Sequence, residues 1–136
     1  MTALALVTAN RFNVVESFIQ MTLPTDEAVT AGQLVKINTT TGKFTKANGT
    51  TSGEARVWGI ATKTVAAGMP VTAVRKGVAT GYNIDALAYD APVYLSDTDG
   101  MPDTAAGTVS VVIGRVIPAT GVTLGTAYDK LLQIDL

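Results

Sequence analysis

Residues 56–77 read RVWGIATKTVAAGMPVTAVRKG, two short apolar runs around a tight turn. Val57 to Ala61 form the first run, Ala66-Ala67-Gly68-Met69-Pro70 supply the turn, and Val71 to Val74 open a second run that stops at Gly77. Runs this short, punctuated by glycine and proline, predict a β-hairpin rather than a helix. The stretch holds no His, Cys or carboxylate, so nothing in it suits acid/base or nucleophilic work.

The same device recurs on both sides. Ala31-Gly32-x-x-Val35, Ala67-Gly68-x-x-Val71 and Tyr89-Asp90-x-x-Val93 each set a turn residue three positions before a valine. The intervals between these units differ, which predicts a repeated hairpin device and not a solenoid. Gly32 to Ala47 reads as one hairpin, with strands at Gln33–Asn38 and Lys43–Ala47. Phe12 to Leu23 alternates at strand spacing, with Val15, Ser17, Ile19, Met21 and Leu23 on one face, until Pro24 ends it. Val78 to Tyr82 and Ala91 to Leu95 predict further strands, Val109 to Pro118 a core strand, and Leu131 to Leu136 a closing one that turns Leu132, Ile134 and Leu136 inward. Asn83 to Asp90 is ambiguous, being too short to hold a helix without packing. Ala119 to Tyr128 is expected to be the last loop, and Asn48 to Glu54 an exposed one. Asn38-Thr39-Thr40 and Asn48-Gly49-Thr50 match a glycosylation pattern but read as turns.

Composition narrows the function classes. The chain has 136 residues, enough for one domain, and only 15% are charged against a usual fraction of about 25%. A surface this poor in charge points to burial in an assembly, with a merely polar, uncharged β domain as the plainer reading. The net charge of -1 and the lone basic pair Arg75-Lys76 speak against nucleic acid as a direct ligand. No apolar run approaches the roughly twenty residues that would span a membrane. With neither Cys nor His, disulfides, thiolate nucleophiles and Ser/His or Cys/His triads are excluded. No cofactor is expected.

Asp97, Asp99 and Asp103 are the only clustered carboxylates. They lack the later bidentate Glu of a calcium loop, so a turn is expected and no metal site is assigned, although the three leave an ion open. Gly81-Tyr82-Asn83-Ile84-Asp85 resembles the Gly-x-Ile-Asp stretch of trimeric deoxyuridine triphosphatases, with one residue too many. Trp58, the single tryptophan, reads as a core anchor, with an interface contact as the alternative.

Met1 to Asn13 forms an arm without a charged side chain before Arg11, so it lacks the basic start of a signal peptide. Its apolar side chains Leu4, Leu6 and Val7, with Phe12, are expected either to join the chain's own sheet or to contact a capsid or neighbouring subunit, the latter being favoured. On that reading, removal of residues 2–10 spares the fold.

The order of Ala31-Gly32-Gln33-Leu34-Val35, Val57-Trp58-Gly59-Ile60-Ala61, Ala67-Gly68-Met69-Pro70-Val71, Gly77-Val78, Ala91-Pro92-Val93-Tyr94-Leu95, Ile113-Gly114-Arg115-Val116 and Leu132-Gln133-Ile134-Asp135-Leu136 resembles the capsid decoration (cement) proteins of tailed bacteriophages. The resemblance spans about residues 14–136 and departs in the longer arm. It implies an all-β, compact barrel-like domain over 14–136 that forms a homotrimer, binds the outside of the capsid and ties major capsid proteins together. It implies no catalytic residues and a place on the virion after assembly in the host cytoplasm. The alternatives are a trimeric nucleotide hydrolase of the deoxyuridine triphosphatase type and a carbohydrate-binding β module.

Overall fold

A computed structural model describes residues 3–7, 12–118 and 130–136. The expected last loop, at Ala119 to Tyr128, lies outside the described residues. Among those described there are nine strands and no helix. They are β1 Asn13–Pro24, β2 Leu34–Ile37, β3 Phe44–Lys46, β4 Val57–Ala61, β5 Pro70–Thr80, β6 Pro92–Leu95, β7 Pro102–Asp103, β8 Val112–Pro118 and β9 Lys130–Asp135. Eight of them follow the order β3-β2-β4-β5-β9-β8-β6-β7 in a curled half-barrel, and β1 pairs with β5 off that path. Every strand pair is antiparallel, which the all-β, barrel-like expectation anticipates.

The expected strands at Val71–Gly77 and Val78–Tyr82 are one continuous element, β5. Gly77 does not end it. The glycine is there because β1 passes closely: a Cβ at position 77 would lie 2.2 Å from the Glu16 carbonyl oxygen, inside any permitted contact. β5 pairs with β1 along its whole length, from Thr80 opposite Asn13 to Pro70 opposite Pro24. Its other edge is shared, taken by β4 at Ala73 and Val74 and by β9 from Lys76 to Ala79. Asn83 to Asp90 forms turns and no strand, and β7 is a two-residue strand that the sequence did not announce.

The central strands are buried on both faces. Leu34, Ile60 and Val74 point into the larger core with Leu95, Ile113, Val116, Leu132 and Ile134. Their chain neighbours Val35, Ala61 and Ala73 point the other way, into a smaller core with Phe44, Val29 and Val71. Alternation with period two places adjacent residues on opposite faces, so two apolar sets can be buried by one strand.

The repeated sequence device has one conformation. The amide of Gln33 donates to the Thr30 carbonyl at 3.0 Å, Met69 to Ala66 at 3.2 Å and Ala91 to Ala88 at 3.2 Å. In each of these four-residue turns the third residue has positive φ: +86° at Gly32, +86° at Gly68 and +64° at Asp90. This is the backbone that glycine adopts freely and aspartate tolerates. The valine three positions later is buried every time, with Val35 and Val93 fully inaccessible. The two asparagine segments are turns as well, Asn38 Oδ1 accepting from the Thr40 amide at 2.9 Å and Asn48 Oδ1 from the Thr50 amide at 3.2 Å.

A comparison of two alanine variants separates conformational strain from packing at these turns. A Cβ at Gly68 would meet nothing within 4 Å, so Gly68→Ala should cost only the left-handed penalty of about 1–2 kcal/mol. At Gly32 the Cβ would stand 3.2 Å from Leu6 Cδ2 and 3.4 Å from the Phe12 ring, so the loss should be larger. Urea unfolding measures both, and equal losses would show that the arm does not press on the Gly32 turn.

Candidate interaction surfaces

β1 is twelve residues long, and its sequence NVVESFIQMTLP carries a single charge, Glu16. Among the described residues only β5 pairs with it, so its second edge is open. Register shifts at Val14/Glu16, Ser17/Ile19 and Ile19/Gln20 break the simple alternation that the sequence suggests. Apolar side chains therefore stand in water on both sides of the shifts. Phe18 is 70% exposed, Val15 57% and Ile19 43%. Only the ends are tied to a core, Val14 against the larger one and Met21 and Leu23 against the smaller. An open, charge-poor strand edge with exposed aromatic and aliphatic groups is a surface that pairs or packs.

The arm makes contacts within its own chain. Leu4 donates its amide to the Pro102 carbonyl at 2.8 Å, Val7 donates to Gly81 at 2.7 Å, and the Ala5 carbonyl accepts from the Asn83 amide at 2.9 Å. Leu4 and Phe12 are buried in the larger core, and Leu6 packs against it. Phe12 lies 5.5 Å from the Tyr82 ring, and the Tyr82 hydroxyl donates to the Gly32 carbonyl. Burial pushes the Tyr82 phenol above its ordinary pKa, which keeps it protonated as that donor. Of the four residues assigned to capsid or subunit contact, Val7 alone is exposed, at 60%. The sequence could not separate these cases, because an apolar segment gains burial equally from its own domain and from a neighbour.

A second surface is polar. Lys36 of β2, Arg56 just before β4 and Arg75 of β5 line an open cleft of about 610 Å³, with Ile37, Val57 and Trp58 supplying apolar wall. Lys36 and Val57 are register partners, which brings the first two cations together. Arg75 is held over the Trp58 ring, 5.7 Å from its centroid, and its Nη1 donates to the Trp58 carbonyl at 3.0 Å. Trp58 is half-buried and also packs on Phe44, with ring centroids 5.8 Å apart. It is thus a partial core residue and a wall of the cleft.

The carboxylates named by the sequence do separate jobs. Asp97 accepts from the Thr108 amide at 2.9 Å and its hydroxyl at 2.7 Å, Asp99 from Asn48 Nδ2 at 3.2 Å, and buried Asp103 from the Ala105 amide at 3.1 Å. Among the described residues no three His, Cys, Asp or Glu side chains converge as a metal group would. In the segment Gly81 to Asp85, Tyr82 and Ile84 are buried while Asp85 is exposed, its carbonyl accepting from Lys130 Nζ at 2.8 Å. Glu27 reaches β3: although burial opposes its charge, hydrogen bonds from Thr45 and the Lys46 amide, with the Lys46 ammonium, hold its carboxyl below the usual range. Among the described residues no helix is long and apolar enough to cross a membrane.

No protein-family model matches this chain, and no curated protein is significantly similar to it in sequence. The geometry and the residue pattern carry the functional reading.

Two arm variants test where the arm belongs. Leu4→Ala should cost at least about 2 kcal/mol, as for a large-to-small change in a core. Val7→Ser should stay within about 0.5 kcal/mol, as for an exposed position. Removal of residues 2–10 is then expected to destabilise the fold, against the expectation from sequence. Thermal and urea unfolding read all three, and an unaffected Leu4→Ala would return the arm to a role outside its own core.

Proposed function

We propose that this chain is a structural protein of a tailed-bacteriophage head, which binds the outer capsid surface as a homotrimer and stabilises the shell by bridging major capsid proteins. The observation that carries the reading is β1: a long strand with an open edge and exposed Phe18, Val15 and Ile19, on a chain with few charges. Such an edge accepts another strand through main-chain hydrogen bonds, while the apolar side chains on it supply burial. The resemblance of its segment order to that of decoration proteins supports the same role. Neither a transition-metal centre of His and Cys nor a His-based triad can be built from this composition.

The energetics suit a clamp. A standard interface buries about 800 Å² per partner. On a lattice, several modest contacts held by one trimer add by effective concentration, so no single contact has to be tight. The protein works on this reading by occupying the virion surface and resisting separation of the subunits beneath it, with no reaction and no cofactor.

The test compares bare and decorated particles under heat and osmotic stress, with the solution mass of the purified chain. Decorated particles should survive longer and the mass should be that of a trimer. Phe18→Glu should leave stability within about 0.5 kcal/mol, since the side chain is exposed, yet lower occupancy on particles at limiting concentration. Equal survival of the two kinds of particle would end the stabilising role, and hydrolysis of deoxyuridine triphosphate would favour the enzyme alternative.

A further inference from the structure

We propose that the cleft walled by Lys36, Arg56, Arg75 and Trp58 binds an acidic, partly apolar peptide segment of a partner protein. The surface is separate from the apolar edge of β1 on which the capsid reading rests, and the inference stands whether or not that reading does.

Charge is the first argument. Three cations meet here, and among the described residues the one carboxylate paired with them is Glu54, whose Oε2 lies 3.3 Å from Lys36 Nζ. Among the described residues two positive charges are left uncompensated, on a chain whose net charge is -1. The Arg56 side chain is exposed and makes no ion pair or hydrogen bond among the described residues. Arg75 likewise has no carboxylate partner among them, its recorded contacts being the Trp58 ring and carbonyl. In a chain with so few charges, crowding like charges without counter-ions works against the fold unless something anionic comes to them.

Preorganisation is the second. The Arg75 guanidinium is stacked and hydrogen-bonded, so little side-chain freedom is left for a ligand to remove. Lys36 is anchored by Glu54 on a neighbouring loop. The two stand on β2 and β5, the strands that flank β4, with Arg56 just before β4 between them, as a receptor for more than one carboxylate requires.

Shape and lining decide the class of ligand. At about 610 Å³ the cleft is of the size that takes a sizeable ligand rather than a single ion. Ile37, 38% exposed, and Trp58 offer apolar contact between the charges, which an acidic peptide with aliphatic side chains would use. A single-stranded nucleic acid would use free aromatic faces to stack its bases. Here the only tryptophan is engaged by Phe44 and by Arg75.

Trp58 is also the reporter. Its fluorescence should follow titration with the hexapeptide acetyl-EELEEL-amide at low salt, saturably, and the apparent affinity should fall about tenfold or more between 50 and 500 mM NaCl. The uncharged twin acetyl-QQLQQL-amide should not bind. Arg56→Glu, at an exposed position without partners, should keep the unfolding temperature of the parent and weaken binding about tenfold or more. Arg56→Lys should retain most of the affinity. The proposal is overturned if neither peptide binds, if the twin binds equally, if Arg56→Glu leaves the affinity unchanged, or if a thymidine oligonucleotide binds more tightly than the acidic peptide.

Discussion

The structure depends on one constraint: β5 must serve three partners with two edges. β1 takes one edge entirely, so β4 and β9 have to divide the other, meeting it at Ala73–Val74 and at Lys76–Ala79. The division is what lets the sheet curl, since the strands before β5 and those after it leave the same edge at different heights. The opposite edge is filled at close range, and Gly77 is the residue that permits it. Any side chain there would push against the Glu16 carbonyl and lift β1 from the strand it covers. β1 is therefore held by backbone pairing more than by side-chain burial, which is why its middle can display apolar groups.

How far the sequence could be read follows from the same physics. The turns at Gly32, Gly68 and Asp90 were legible because positive φ restricts the residue at one position and burial restricts the valine three positions on. The closing strand was legible because Leu132 and Ile134 alternate toward a single core and are 1% exposed there. β1 was legible as a strand, but its exposure was not. Alternation records that two faces exist, and bulges after Val14 and Ser17 then reassign the side chains to faces without any mark in residue type. Val112 makes the same point from the other side, since a β-branched residue in the strongest apolar run is 47% exposed.

The cleft was hidden for a different reason. Lys36, Arg56 and Arg75 are far apart in the chain, and sequence shows charge clusters only when they are local. In sequence, Arg75-Lys76 is simply the one adjacent basic pair. In the fold its two members separate by strand alternation: Arg75 goes to Trp58, while Lys76 bridges to Asp135 on β9.

Low charge content and the placement of charge belong together. The five ion pairs among the described residues are all at least partly exposed, from Lys36 with Glu54 to Arg115 with Asp90. Pairs of that kind contribute about 0–1 kcal/mol each, so the stability of this domain rests on its two apolar cores and on the backbone pairing of β5. Charges that the fold does not need are free to be placed for other purposes. β1 shows the consequence in one direction, where all but one charge is withheld from a twelve-residue edge strand. The cleft shows it in the other, where cations from three segments gather with one carboxylate among them. An apolar edge and a cationic cleft, each anchored to β5, give one small domain two chemically distinct surfaces.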